Sequence, residues 1–182
     1  MTQRAPALPA EERRLAIMRA TLPLLVERGA SVSTRQIAEA AGIAEGTIFR
    51  VFPDKDAVVR AAVELAFDPG PTEEALEAID HDLPFETQLA EAVVIMQRRL
   101  CDIWQLVQKV GDTSAPKTPP ADFAALAKIF EPHRDALRQT PADAARQLRA
   151  LTLAVSHPVL YGDVPMPAAE IVSLLLDGLR HR

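Results

Sequence analysis

The side chains grouped closely enough to act together in this chain suit hydrogen-bonded recognition rather than covalent chemistry. They lie in residues 33–56, STRQIAEAAGIAEGTIFRVFPDKD. Ile48 and Phe52 stand at i and i+4, so a helix there turns both inward and leaves Glu45, Thr47 and Arg50 pointing away. An acceptor, a hydroxyl and a guanidinium then share one surface. Lys55 places a cation in what reads as the first turn of the next helix. It opposes the helix dipole there and suits an external anion, unless it pairs with Asp54 or Asp56. Covalent and metal chemistry find no such grouping. His81, His133, His157 and His181 lack metal-ligand spacing, no nucleophile is paired with a base, and no glycine-rich phosphate loop occurs. No catalytic residue, metal or cofactor is expected, and the chain does not read as an enzyme.

The elements that must position these residues are legible from their punctuation. Ser33 precedes Gln36 by three residues, the capping-box spacing in which each side chain satisfies an orphan donor at a helix start. Ile37, Ala40 and Ala41 then form a narrow apolar stripe, and Gly42 supplies the left-handed residue that ends the helix. Ile43 turns back to the core, and Ala44 to Val51 reads as a second helix of about two turns. Pro53 stops it, and Asp54 caps a further helix through Ala57, Val58, Ala61, Ala62 and Leu65. Upstream, Glu11 to Arg28 predicts a helix with Leu15, Met18, Leu22 and Leu25 inward and Gly29 closing it. Pro23 inside that helix predicts a kink or loosened turn near Arg19 to Pro23. The arrangement is a helix-turn-helix.

The segments IAEAAGI, GTIF and FPDKD make the run more specific than a generic helix-turn-helix. Over about residues 12–66 it resembles the DNA-binding domain of the tetracycline-repressor (TetR) family of transcriptional regulators. The resemblance implies that the second helix of the motif lies in the major groove of double-stranded DNA. It implies that Arg35, Glu45, Gly46 and Thr47 approach bases or flanking phosphates, that Thr47 and Phe49 meet the backbone, and that Lys55 contacts phosphate. Ser33, Thr34, Ala44 and Arg50 complete the expected DNA-facing set. Arg35 is the candidate for a bidentate guanine contact, worth about 1–3 kcal/mol of discrimination, its alternative being a plain exposed charge.

Four positions depart from the family pattern. Phe49 stands where tyrosine is common and Val51 where histidine is frequent, so two phosphate donors are lost. Ala44 replaces the usual serine or threonine cap, a loss of about 1 kcal/mol. Two readings stand for Glu45: acceptor from a cytosine amino group, or a carboxylate stabilising its own helix start.

The net charge of −5 at first sight argues against a nucleic-acid partner. It is unevenly spread. Residues 1–66 hold nine Lys or Arg against eight Asp or Glu, and residues 67–182 hold eleven against seventeen. So weakly basic a head predicts an affinity resting on a few placed contacts and on dimerisation, with a moderate salt dependence. Residues 1–10, rich in Ala and Pro, read as a disordered arm, in which Arg4 either reaches a minor groove or is idle.

Residues 11–66 thus form the expected DNA-binding domain, and 67–182 a helical effector-binding and dimerisation domain; the predicted fold is all-α. Low aromatic content, few glycines and the lack of strand-like alternation support it. After the break Phe67-Asp-Pro-Gly-Pro, Thr72 reads as the cap of a short helix. Pro84 opens a long one through about Val110, with Leu89, Val93, Met96, Leu100, Ile103, Trp104 and Val107 in one stripe. GDTSAPKTPP reads as a flexible loop, Asp122 to Arg138 as a helix, Pro141 to about 160 as another, and Met166 to Leu179 as the last. The lone Cys101 suits packing rather than redox sensing. No apolar run approaches membrane-spanning length and no leader precedes the helices, so no membrane partner and a cytoplasmic location are expected.

In the resembled family the later helices bind a small-molecule effector and form a homodimer. By that analogy a pocket falls between helices 85–110 and 122–138. Phe85, Met96, Leu100, Trp104, Phe123 and Phe130 are its apolar candidates, with Gln97 and His133 as polar hooks. With few acids among them, a neutral lipophilic effector is expected. Leu148, Leu151, Val155, Ile171, Leu174 and Leu175 are the expected dimer residues, pairing two motifs to read a palindromic operator as a repressor. The competing reading is a helical small-molecule-binding or protein-interaction module without sequence-specific DNA binding.

Overall fold

The computed structural model describes residues 9–111 and 123–179. Arg4 and its arm, the loop over 112–120, Asp122 and His181 lie outside the described residues. All the helices among the described residues fall into two compact units, the first formed by residues up to 68 together with residues from Ile103 onward in the long helix.

In the first unit α1 spans Ala10–Arg28, a single 3-10 turn covers Gly29–Ser31, and α2 (Thr34–Ala40), α3 (Glu45–Ile48) and α4 (Lys55–Ala66) follow. The capping box at Ser33 and Gln36 is present, and the Asp54 side chain accepts from the Ala57 amide. Gly42 is left-handed, with φ 65°. The inward stripe of α1 differs from the expected one: Ile17, Thr21 and Leu25 are buried, while Leu15, Met18 and Leu22 are half-buried. A threonine can occupy the core because its Oγ1 donates 2.7 Å to the Ile17 carbonyl, so no hydroxyl is stranded. The helix runs unbroken across Pro23, which is exposed. In α2, Ala38 rather than Ala40 joins Ile37 in the core. The predicted two-turn helix from Ala44 contracts to four residues, continued by turns over Phe49 to Val51.

Gly29 sits where this backbone favours glycine. Its φ of 61° and ψ of −152° belong to a region open essentially to glycine alone. A Cβ there would lie 2.3 Å from the Lys109 carbonyl oxygen.

The second unit holds α5 (Gly70–Glu77), most of α6 (Phe85–Val110), α7 (Ala124–Phe130), α8 (Pro141–Ser156), α9 (Pro158–Tyr161) and α10 (Ala168–Leu179). Its core gathers Leu76, Leu89, Val93, Phe130, Leu148 and Ile171, all fully buried. Thr72 is not a cap: α5 begins before it, and its buried hydroxyl accepts from Arg99 at 3.2 Å. The helix expected to Arg138 ends at Phe130 and passes into a 3-10 segment, Glu131–Ala136. Pro132 has no amide to give the Lys128 carbonyl, so the α-pattern cannot continue. Likewise α8 stops at Ser156, because Pro158 opens α9 instead of extending it. No helix among the described residues is long and apolar enough to cross a membrane.

Candidate nucleic-acid interface

The candidate surface gathers residues from α2, from α3 and the turn after it, and from the start of α4. Ile48 (0% exposed) and Phe52 (1%) anchor α3 from below, against a core that includes Leu25, Val32, Ile37 and Val58. A residue on the opposite face of so short a helix cannot avoid solvent. Glu45, Gly46 and Arg50 are exposed, Phe49 is 51% exposed, and Thr47 is half-buried. Ala44, the first flanking residue, makes no side-chain cap. Arg35 is exposed at the start of α2, beside Ser33 and Thr34. An exposed phenylalanine with a free arginine neighbour in sequence is poor core chemistry. It is sound contact chemistry.

Three contacts at this surface escaped the sequence reading. Thr34 Oγ1 donates to Glu45 Oε1, joining the first residue of α2 to the first residue of α3. Arg14 Nη1 donates 3.0 Å to the Val51 carbonyl, and its guanidinium lies 4.2 Å from the centroid of the Phe52 ring. Arg14 therefore clasps the carboxy-terminal side of α3 by a hydrogen bond and a cation–π contact. No periodicity announces a partnership across 37 residues. Lys55 takes up neither of the alternative pairs with Asp54 or Asp56: its Nζ donates 3.0 Å to the Ala30 carbonyl. One of three ammonium donors is thereby used, and the side chain is tethered beside the start of α2.

A family model for bacterial regulatory proteins of the tetR family matches residues 17–62, from the first buried residue of α1 into α4. Those residues are therefore similar to that family's domain. Solved TetR-family structures share its fold. A TetR family protein from Vibrio parahaemolyticus superposes with a TM-score of 0.58 at 18% identity, covering 93% of this chain and 100% of the other. One from Mesorhizobium loti gives 0.58 at 16% identity, over 96% of this chain and 100% of the other. The flavonoid-responsive regulator FrrA gives 0.50 at 17%, over 94% and 99%. No curated protein matches.

In the second unit the expected ligand residues are only partly brought together. Phe85 stacks on His133 with ring centroids 3.9 Å apart and meets Phe130 edge-on at 5.6 Å. Phe130 and Met96 are buried, and Leu100 and Phe123 are half-buried. Gln97 is occupied rather than waiting as a hook: its Nε2 donates to Ser156 Oγ and to the Met166 carbonyl, each at 2.9 Å. Trp104 groups with the first unit instead. A cleft of about 360 Å³ opens elsewhere, between Glu86, Thr87 and Ala90 of α6 and Val172, Ser173 and Leu176 of α10. None of the expected ligand residues lines it.

The expected dimer residues divide as sharply. Leu148, Ile171 and Leu175 are buried in the protomer's own core, so they hold α8 and α10 in place within one chain. Leu151 and Val155 are half-buried against the same core, and Leu174 is 54% exposed. Among the described residues no group of three or more His, Cys, Asp or Glu is placed to hold a metal ion.

Proposed function

We propose that this TetR-family chain is a cytoplasmic, ligand-responsive transcriptional regulator that reads duplex DNA through α3 as a homodimer. The single observation that carries the reading is α3 itself. Its inward Ile48 is wholly buried, as is Phe52 just beyond it, while Glu45, Gly46 and, past its end, Phe49 and Arg50 are exposed. A four-residue helix sealed on one face and open on the other matches a recognition helix entering the major groove. Arg35 stands beside it for a base edge and Lys55 for a phosphate.

Repression of a palindromic operator follows from two such heads in one dimer. The exposed Leu174 supports an apolar pairing surface on α10. A small lipophilic effector would suit the chemistry of the packed group of Phe85, Phe130 and His133, which would have to open to admit it. One relative of the same fold is named for its response to flavonoids, which supports effector control without identifying this chain's effector. Release then proceeds by population shift, the effector favouring the state that cannot place both heads in adjacent grooves.

A salt-titrated mobility shift tests the reading. Lys55→Ala should weaken binding to every duplex and lower the salt slope by about one, whereas Arg35→Ala should relax one base position, costing about 1–3 kcal/mol. The proposal would be falsified if the wild-type protein bound no duplex with sequence preference. The chain would then be a helical binding module.

A further inference from the structure

Resting on the reading that α3 enters the major groove, we infer that Thr34 is a positioning residue for Glu45, and that the pair makes each half-site select cytosine at one position. Glu45 heads α3 and is exposed, so its carboxylate would ordinarily sample many rotamers. Thr34 stops that sampling by donating its hydroxyl to Oε1 from a different helix. Thr34 is itself held. It is half-buried, and it follows Ser33, whose hydroxyl and amide are committed to the reciprocal cap with Gln36. The capping box therefore fixes the donor, and the donor fixes the acid.

The chemistry of the groove then selects the base. A carboxylate only accepts, and with one oxygen engaged by Thr34 the remaining lone pairs still face outward. Guanine presents two acceptors in the major groove and thymine one acceptor and a methyl group, so both repel or waste a carboxylate. Adenine offers an amino donor but sets its N7 acceptor beside it. Cytosine alone presents an amino donor without an acceptor of its own on that edge. Ala44 has no side-chain oxygen to compete for the same place. The pair thus replaces phosphate contacts missing at Phe49 and Val51 with discrimination at a base.

Selection of bound duplexes from a random pool by the full chain tests this, with wild type, Glu45→Gln, Thr34→Val and Thr34→Ser run in parallel. Wild type should select cytosine at one position per half-site. Glu45→Gln should transfer that preference to adenine, because an amide can both donate to N7 and accept from N6. Thr34→Val should flatten the preference roughly tenfold at that position alone, and Thr34→Ser, which keeps the hydroxyl, should restore it. If wild type selects a site and both Glu45→Gln and Thr34→Val select the same one, with only the melting temperature reduced, the pair is a brace for α3 and the inference is overturned. If wild type selects no site, the reading of α3 as a DNA-contacting helix fails and removes the inference with it.

Discussion

The two units of this chain are stabilised on different length scales. In the first, helix starts are satisfied by neighbours three residues away, Ser33 with Gln36 and Asp54 with the Ala57 amide. In the second, Thr140 caps α8 in the same way through the Asp143 amide, but other such duties fall to distant residues. The start of α7 has no side-chain cap of its own; the Ala125 amide donates 2.7 Å to Glu73, 52 residues earlier. Gln97 ties α6 to Ser156 and to Met166, 59 and 69 residues on. The contrast teaches why one unit was readable. The helix-turn-helix is specified largely by local rules, whereas the second bundle relies more on packing that short-range patterns do not encode.

The contrast can be broken or sharpened by substitution. Phe130→Ala should have the largest effect, because it empties the middle of the second core. A loss of about 3–5 kcal/mol is expected in chemical denaturation. Gly29→Ala attacks a place where the first unit, as at Arg14 with Val51 and Lys55 with Ala30, depends on a distant residue. Positive φ in a glycine-only region costs about 1–3 kcal/mol before any clash with the Lys109 carbonyl is relieved. A change within a few tenths of a kcal/mol there would show that the first unit does not depend on this close approach to Lys109.

Next come the two helix starts, Asp54→Ala for the local cap and Glu73→Ala for the distant one. Each should lower stability by about 1 kcal/mol, read as the denaturation midpoint, because one backbone donor is orphaned in either case. A far larger loss in Glu73→Ala would mean that its carboxylate holds α5 to α7 rather than merely capping. The smallest effect belongs to Lys128 and Glu77, 2.7 Å apart on the surface. The hydrogen bond and charge of Glu77 raise the Lys128 pKa above the ordinary 10.5. A raised lysine contributes its stability fully below its unfolded pKa and loses it as pH rises through the folded value. Lys128→Met should therefore differ from wild type in thermal melts only below that alkaline range, and only slightly.

How much of the site was legible follows the same division. The capping box, the left-handed Gly42, the Asp54 cap and the burial of Ile48 and Phe52 were all written at spacings of three or four. The stripe of α1 was misjudged because Thr21 reads as polar until its bond to Ile17 is seen. The choice of Ala38 over Ala40 was set by where neighbouring helices lie, which a seven-residue helix cannot announce. Arg14 on Phe52 and Lys55 on Ala30 join elements 38 and 25 residues apart and left no periodic trace.

The sequence by itself determined the all-helical class, the helix-turn-helix and the polar residues it presents, because caps, breakers and apolar spacing act over a single turn. Only the tertiary structure decided that Glu45 is held by Thr34, that Gln97 is committed, and that Leu148, Ile171 and Leu175 are spent inside one protomer. Those outcomes depend on which surfaces meet across tens of residues, and burial is a property of the meeting rather than of the chain.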